Sequence, residues 1–276
     1  MTPSIAAKRA AFTALHASGC FVIPNPWDVG SARYLQSLGF KALATTSSGF
    51  AWSVGRPDNG ISLEQALAHF RAIAAATDIP VSADFEHGFA DAPEDVAANV
   101  KAALATGLAG LSIEDSTGRS DAPLYDIALA RERVAAARAA FDSQDDRGVL
   151  TARAECMLVG RNDLDEVIRR LIAYAEAGAD CLFAPGLRSA DAIRTVVQAV
   201  APKPVNVLMG TNAISVAELA DLGVRRISVG GALARTAWTG FIRAAKTIAQ
   251  QGTFDGFADA VSFAELNALI DASTKR

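Results

Sequence analysis

Eight short runs of apolar and β-branched residues recur along the chain, each bounded by polar or glycine positions. They read FVIP from Phe21, ALATTS from Ala42, PVSADFE from Pro80 and GLSIED from Gly110; then VLTARAE from Val149, DCLFAPG from Asp180, PVNVLMG from Pro204 and RRISVGG from Arg225. Runs of this length and composition predict strands. The segments between them are alanine-rich, with apolar residues at helical spacing. PEDVAANVKAALATG opens with Pro93 and Glu94 and stops at Gly107, a start and stop suited to a helix. DLDEVIRRLIAYAEAGAD has Asp163 in the N-cap position and Gly178 at its C-terminal end. SARYLQSLG and SVAELADLG are shorter copies of the same design.

Strand alternating with helix implies parallel strands joined by right-handed crossovers. Eight such units predict an α/β chain folded as a (β/α)8 TIM barrel. A dinucleotide-binding sheet is disfavoured, because the first strand-to-helix turn, PNPWDVGSA, lacks GxGxxG. No low-complexity linker divides the sequence. We therefore expect one barrel domain over residues 1–276, with 252–276 as a C-terminal helical extension. Within that extension SFAELNALIDA predicts an extra helix, expected to pack on another subunit.

Composition narrows the function. Of 276 residues 51% are hydrophobic, enough for a sizeable core, and the formal net charge is only −4. Acids and bases intermix, so neither nucleic acid nor a membrane is an expected partner. No apolar run approaches the roughly 20 residues of a membrane span. The N-terminal MTPSIAAKRAAFTALHASG is amphipathic and lacks an apolar signal core. Cys20, Cys156 and Cys181 show no CxxC spacing. They read as free thiols in a cytoplasmic protein.

In a barrel the site lies at the C-terminal strand ends. Strand 2 ends in Thr45, Thr46, Ser47, Ser48 and Gly49; strand 3 in Asp84 and Glu86; strand 4 in Glu114 and Asp115. Strand 5 carries Arg153 and Glu155, whereas strands 6 to 8 end in small or apolar residues. Alternation along a strand puts Asp84 and Glu86 on one face. Glu114 on the next strand can join them. Clustered carboxylates repel and raise one another's pKa values unless a cation joins them. Oxygen-only ligands suit Mg²⁺, with Mn²⁺ possible, rather than zinc. The competing reading of each acid alone is a loop cap or a rim ion pair. Arg153 has its own structural alternative, an ion pair with Glu86 or Glu114; next to a cation, a bidentate contact to a substrate carboxylate explains it better. TTSSG offers hydroxyls and amides for an anionic oxygen, against the plain reading of a polar loop. SVGGALARTA after strand 8 reads as a tight turn in preference to a phosphate cradle. No lysine falls at a strand end, which sets aside a Schiff-base aldolase.

These residues, taken in order, resemble the isocitrate lyase / phosphoenolpyruvate mutase superfamily. The landmarks are TTSSG, Asp58 within GRPDNG, ADFEHGF, IEDS, ARAE and AGAD, and the similarity runs from IPNPWDVG to PVNVL. The resemblance implies a Mg²⁺-dependent enzyme acting on small 2-oxo, 2-hydroxy or dicarboxylic acids. It also implies a homo-oligomer, dimer or tetramer, whose last barrel helix is exchanged between subunits. By the same resemblance Asp84 binds the metal directly, while Asp58, Glu86 and Glu114 hold it mostly through water. Ser47, Ser48 and Gly49 then hold the substrate's carboxylate and oxo group with Arg153 beside them, and Asn206 completes the candidate substrate-binding set. Arg153 and Glu114 are the catalytic candidates.

The departures concern chemistry. After the strand-4 acid, lyases of the superfamily carry a Lys-Lys/Arg-Cys-Gly-His loop; this chain reads EDSTGRSDAPLYD, with no cysteine, lysine or histidine. The Lys-Thr-Asn-like segment of phosphonate enzymes is also absent, as is their histidine after strand 6, where LFAPG stands. Enolate formation by C–C cleavage is the expected reaction, with oxaloacetate decarboxylation the simplest case. P–C bond chemistry and a non-catalytic 2-oxo-acid binding protein are the alternatives. Tyr125 or Glu114 would have to replace the missing cysteine in any retro-aldol cleavage.

Overall fold

The computed structural model describes residues 3–210 and 214–274. All eight apolar runs form strands: β1 (Phe21–Ile23), β2 (Leu43–Ala44), β3 (Val81–Asp84), β4 (Gly110–Glu114), β5 (Val149–Arg153), β6 (Cys181–Phe183), β7 (Val205–Leu208) and β8 (Arg226–Ser228). They pair in parallel in the spatial order β1-β8-β7-β6-β5-β4-β3-β2. The helices are α1 (Ile5–Ala17), α2 (Val29–Ser37), α3 (Ser47–Ser53), α4 (Leu63–Ala76), α5 (Pro93–Leu104), α6 (Ile127–Asp142), α7 (Leu164–Glu176), α8 (Ala190–Ala199), α9 (Val216–Asp221), α10 (Ala232–Gln251) and α11 (Phe263–Thr274). The fold is the expected TIM barrel. α5 starts at Pro93 as predicted. Asp163 caps α7 by accepting from the N–H groups of Asp165 and Glu166, and Gly178 follows its end at φ 101°.

The strands form a ladder that stops short of joining β1 to β2. One hydrogen bond, from Ala44 N–H to the Pro24 carbonyl at 3.1 Å, crosses the gap. Asn25 reinforces it. Its Nδ2 donates to the Thr45 carbonyl at 2.9 Å, and its Oδ1 accepts from Val229 and Gly230 N–H, each at 2.8 Å. One buried side chain thereby ties the ends of β1, β2 and β8.

Most of the apolar core fills the layer between barrel and helices. A second cluster, of Phe12, Ile23, Ala42, Ala109, Val149 and Cys181, fills the lower interior of the barrel. Phe12 reaches it from α1, so the N-terminal helix plugs the bottom. The plug requires glycine at 110: a Cβ there would lie 2.4 Å from the Val149 carbonyl oxygen and 2.9 Å from the Phe12 ring.

The C-terminal extension carries the expected extra helix. The extra helix α11 lies against α2 of its own chain. The last two residues of the 252–276 extension fall outside the described residues. α10, which follows β8, buries only Ala234 and leaves Trp238, Phe241 and Ile242 exposed. No helix among the described residues is long and apolar enough to cross a membrane. The three cysteines are free thiols.

Candidate functional site

The strand ends build a polar mouth around Asp84. Its N–H donates to Thr45 Oγ1 at 2.9 Å, and its Oδ2 accepts from the N–H and hydroxyl of Ser47 at 3.0 and 2.9 Å. Arg153 Nη1 donates to Asp84 Oδ1 at 2.6 Å and lies 3.1 Å from Glu114 Oε2. The other side of the guanidinium grips Glu155, through Nε at 3.0 Å and Nη2 at 2.8 Å. Phe183 lies beneath it, 5.1 Å from ring centroid to guanidinium carbon. Burial alone would make this arginine easier to deprotonate. Glu155, Glu114 and Asp84 outweigh burial, so the guanidinium stays charged.

Glu155 is held in turn. Its N–H donates to Asp115 Oδ1 at 2.8 Å, and Asp115 Oδ2 accepts from Arg170 at 3.0 Å and from the Tyr174 hydroxyl at 2.5 Å. Asp115 therefore faces the helix layer and positions the next strand end. Sequence reading passed over Glu155 as a site residue. The signal was present in ARAE, where an arginine and a glutamate stand two apart at a strand end.

Four carboxylates were expected to meet one cation. Asp58 and Asp84 line a chamber of about 190 Å³ at the barrel mouth together with Ser47, Ser48, Arg153 and Asn206. Glu86 and Glu114 lie in the wall behind it. β3 ends at Asp84, and Glu86 sits beyond it at φ 48°, so strand alternation does not set its direction. Its position comes from a left-handed turn instead. Among the described residues no three His, Cys, Asp or Glu side chains close on a point that could hold a metal, and the guanidinium of Arg153 bridges Asp84 and Glu114.

The donor set nonetheless fits a hard cation. Glu86 Oε1 is buried with no hydrogen-bond partner. Burial, then Asp84 and Asp58, push the Glu86 carboxyl up to about 8. Asp58 is raised by burial and by Asp84. Glu114 is raised well above the carboxylate range by burial, against the pull of Arg153. Such a site gains from a divalent ion, and Mg²⁺ keeps several waters and needs only one or two direct carboxylates.

The remaining candidates divide by role. Ser48 lines the inner chamber and also an outer one of about 440 Å³, which Arg188 and Arg235 border. Gly49 lines neither; its N–H donates to Thr46 Oγ1 at 3.3 Å, and a Cβ there would lie 2.6 Å from Thr46 Cγ2. Asn206 is fully buried, donating to Ser228 Oγ at 2.9 Å and accepting from Arg226 Nε at 2.8 Å. Cys156, expected on strand 5, lies just past β5, buried, with burial pushing its thiol up to about 12. The Tyr125 hydroxyl donates to Asp91, and burial and this bond push it up to about 12.

Known proteins share this fold. The sequence profile of the phosphoenolpyruvate phosphomutase family matches residues 12–249. The oxaloacetate decarboxylase of Pseudomonas paraeruginosa is 31% identical over 234 residues, covering 81% of this chain and 79% of that one. A crystal structure from Burkholderia cenocepacia J2315, provisionally assigned as a lyase/mutase, superposes with a TM-score of 0.93 at 49% identity, covering 97% of each chain. A phosphonopyruvate hydrolase in complex with oxalate and Mg²⁺ gives a TM-score of 0.83 at 28% identity, covering 96% of this chain and 95% of that one. With a barrel of this kind and a profile match spanning most of its length, the chain belongs to the phosphoenolpyruvate phosphomutase family, within the isocitrate lyase / phosphoenolpyruvate mutase superfamily of enzymes.

Proposed function

We propose that this enzyme is a Mg²⁺-dependent lyase that cleaves the carbon–carbon bond next to the 2-oxo group of a small acid. The observation that carries the reading is the junction of Arg153, Ser47 and Asp84 at one chamber, with the unpartnered Glu86 oxygen behind it. The oxaloacetate decarboxylase relative and the oxalate- and Mg²⁺-bound neighbour support it. Asp84, with Asp58, Glu86 and Glu114 around it, would hold a divalent cation, which supplies Lewis-acid polarisation of a 2-oxo group when bound.

The chain's own groups do the rest. Arg153 and Ser48 orient the substrate carboxylate. Asn206 stands on the chamber wall, and Gly49 lets α3 pack closely enough to present the serines. Cleavage leaves an electron pair on the 2-oxo fragment as an enolate, whose charge Arg153 spreads. Oxaloacetate suits this equipment, since CO₂ departs without needing a proton. The enolate carbon then takes one proton, for which Glu114, beside Arg153, is the candidate acid when it is not itself holding the cation. Tyr125 is committed to Asp91 and does not replace the missing loop cysteine. Arg188 and Arg235 on the outer chamber favour a substrate with a second carboxylate. The exposed Trp238, Phe241 and Ile242 of α10 fit a homo-oligomer in which this helix packs on a second subunit.

The test is pyruvate release from oxaloacetate with Mg²⁺, after subtracting the metal-only rate. We expect EDTA-sensitive turnover, and no glyoxylate or succinate from isocitrate or 2-methylisocitrate. Oxalate binding without turnover of any 2-oxo acid would favour a binding protein. Turnover of phosphonopyruvate alone would move the assignment to P–C chemistry.

A further inference from the structure

The barrel interior below the Asp84–Arg153 junction is polar. Ser82 on β3, Ser112 on β4, Asn206 on β7, and Arg226 and Ser228 on β8 all line the inner chamber. Barrels ordinarily fill such layers with branched apolar side chains. Arg226 is the unusual member, only 4% exposed. Its Nε donates to Asn206 Oδ1 at 2.8 Å, and its Nη1 lies 3.5 Å from His16 Nε2.

Neither partner carries a negative charge. His16 is neutral, its pKa lowered to about 3 by burial and by Arg226 itself. The titratable groups acting on Arg226 are the Cys181 thiol, which burial keeps protonated, and the Arg153 guanidinium, which repels it. No carboxylate is among them. Other buried arginines are differently placed. Arg153, Arg138 and Arg170 face carboxylates, while Arg133 and Arg9 each donate to three carbonyl oxygens. A guanidinium has five N–H donors. Two of those on Arg226 are directed at Asn206 and His16, leaving three without a protein acceptor among the described residues. A buried cation in this state is costly unless an anion reaches it.

We propose that the floor of the inner chamber is a second binding site, in which Arg226 holds a small monoanion, a halide or a carboxylate. Ser228 assists: its oxygen already accepts from Asn206 Nδ2 at 2.9 Å, so its own O–H is available to donate to the guest. The chamber of about 190 Å³ that Arg226 and Ser228 line has room for a small guest. This site is separate from the Asp84–Arg153 junction and does not depend on the reaction assigned there.

The decisive experiment uses crystals of the full-length enzyme soaked in sodium bromide, with diffraction recorded at the bromine edge. An anomalous peak at hydrogen-bond distance from the Arg226 guanidinium is expected, retained when oxalate is added. Displacement of the peak by oxalate, or no peak together with no thermal response to formate, would overturn a separate site. In solution, the melting temperature should rise saturably with bromide but not with sodium gluconate at equal ionic strength. A formate arm separates the two sources: a response to formate alone assigns a carboxylate, and a response to bromide assigns a halide site. Arg226→Met should weaken bromide binding by about tenfold or more. Equal responses to bromide, formate and gluconate would overturn the proposal. If Arg226→Met does not fold, the wild-type anomalous map decides alone.

Discussion

Glu86 offers a sharp test of the candidate metal site, because its burial has a pH-dependent cost. Burial, then Asp84 and Asp58, push its carboxyl up to about 8 in the folded protein, from an ordinary value near 4.5. A raised carboxyl pKa means the folded state binds the proton more tightly than the unfolded chain does. The stability this contributes is fully present below about pH 4.5 and is lost as pH rises toward 8. At about 1.4 kcal/mol per pKa unit, the loss between pH 5 and pH 9 is on the order of 3–4 kcal/mol. Glu86→Gln keeps shape and hydrogen-bonding capacity while removing the charge. In EDTA, therefore, wild type should lose stability over that interval more steeply than the variant. The difference corresponds to a melting-temperature gap of about 6–12 °C at pH 9, shrinking to about 2 °C at pH 5. Adding Mg²⁺ should close the gap from the wild-type side, because a cation stabilises the ionised carboxylate. The assay is thermal unfolding across pH, with and without Mg²⁺. Parallel pH profiles for the two proteins in EDTA would refute the reasoning, since Glu86 would then ionise as freely in the folded chain as in water.

Two further outcomes follow from the geometry. Arg153→Ala should weaken oxalate binding by about 2–5 kcal/mol, and should lower stability by about 3–5 kcal/mol because Glu114 and Glu155 lose their buried counter-charge; calorimetric titration and denaturant unfolding measure the two separately, and unchanged oxalate affinity would remove Arg153 from substrate binding. Asn25→Ala should cost about 2–4 kcal/mol and speed hydrogen exchange at Val229 and Gly230, whose amides lose their acceptor; unchanged exchange there would show that the barrel seam holds without this side chain.

The barrel was legible because its signal is periodic and local. Each of the eight apolar runs became a strand, even the two-residue β2, and Asp163 and Pro93 marked the helix starts they were expected to mark. Asp84, Arg153 and Ser47 were legible as strand-end polar groups. Glu86 was assigned to the right neighbourhood for an incomplete reason: its left-handed backbone places it outside the alternation, and nothing in ADFEHGF announces that. Asn25 was invisible for a different reason. Its partners lie 20 and 204 residues away, so only closure of the barrel brings them together. Arg226 sits inside RRISVGG, where the adjacent arginines offered no clue that one of them turns inward.

The Phe12 plug has a consequence for traffic. With Phe12 filling the bottom, the chamber is reached among the described residues from its rim. An anion on the proposed floor site beside Arg226 would arrive first and depart last, with a 2-oxo acid above it acting as a cork. Under the proposed C–C cleavage both fragments would leave past that rim, and the piece nearer it would be expected to leave first.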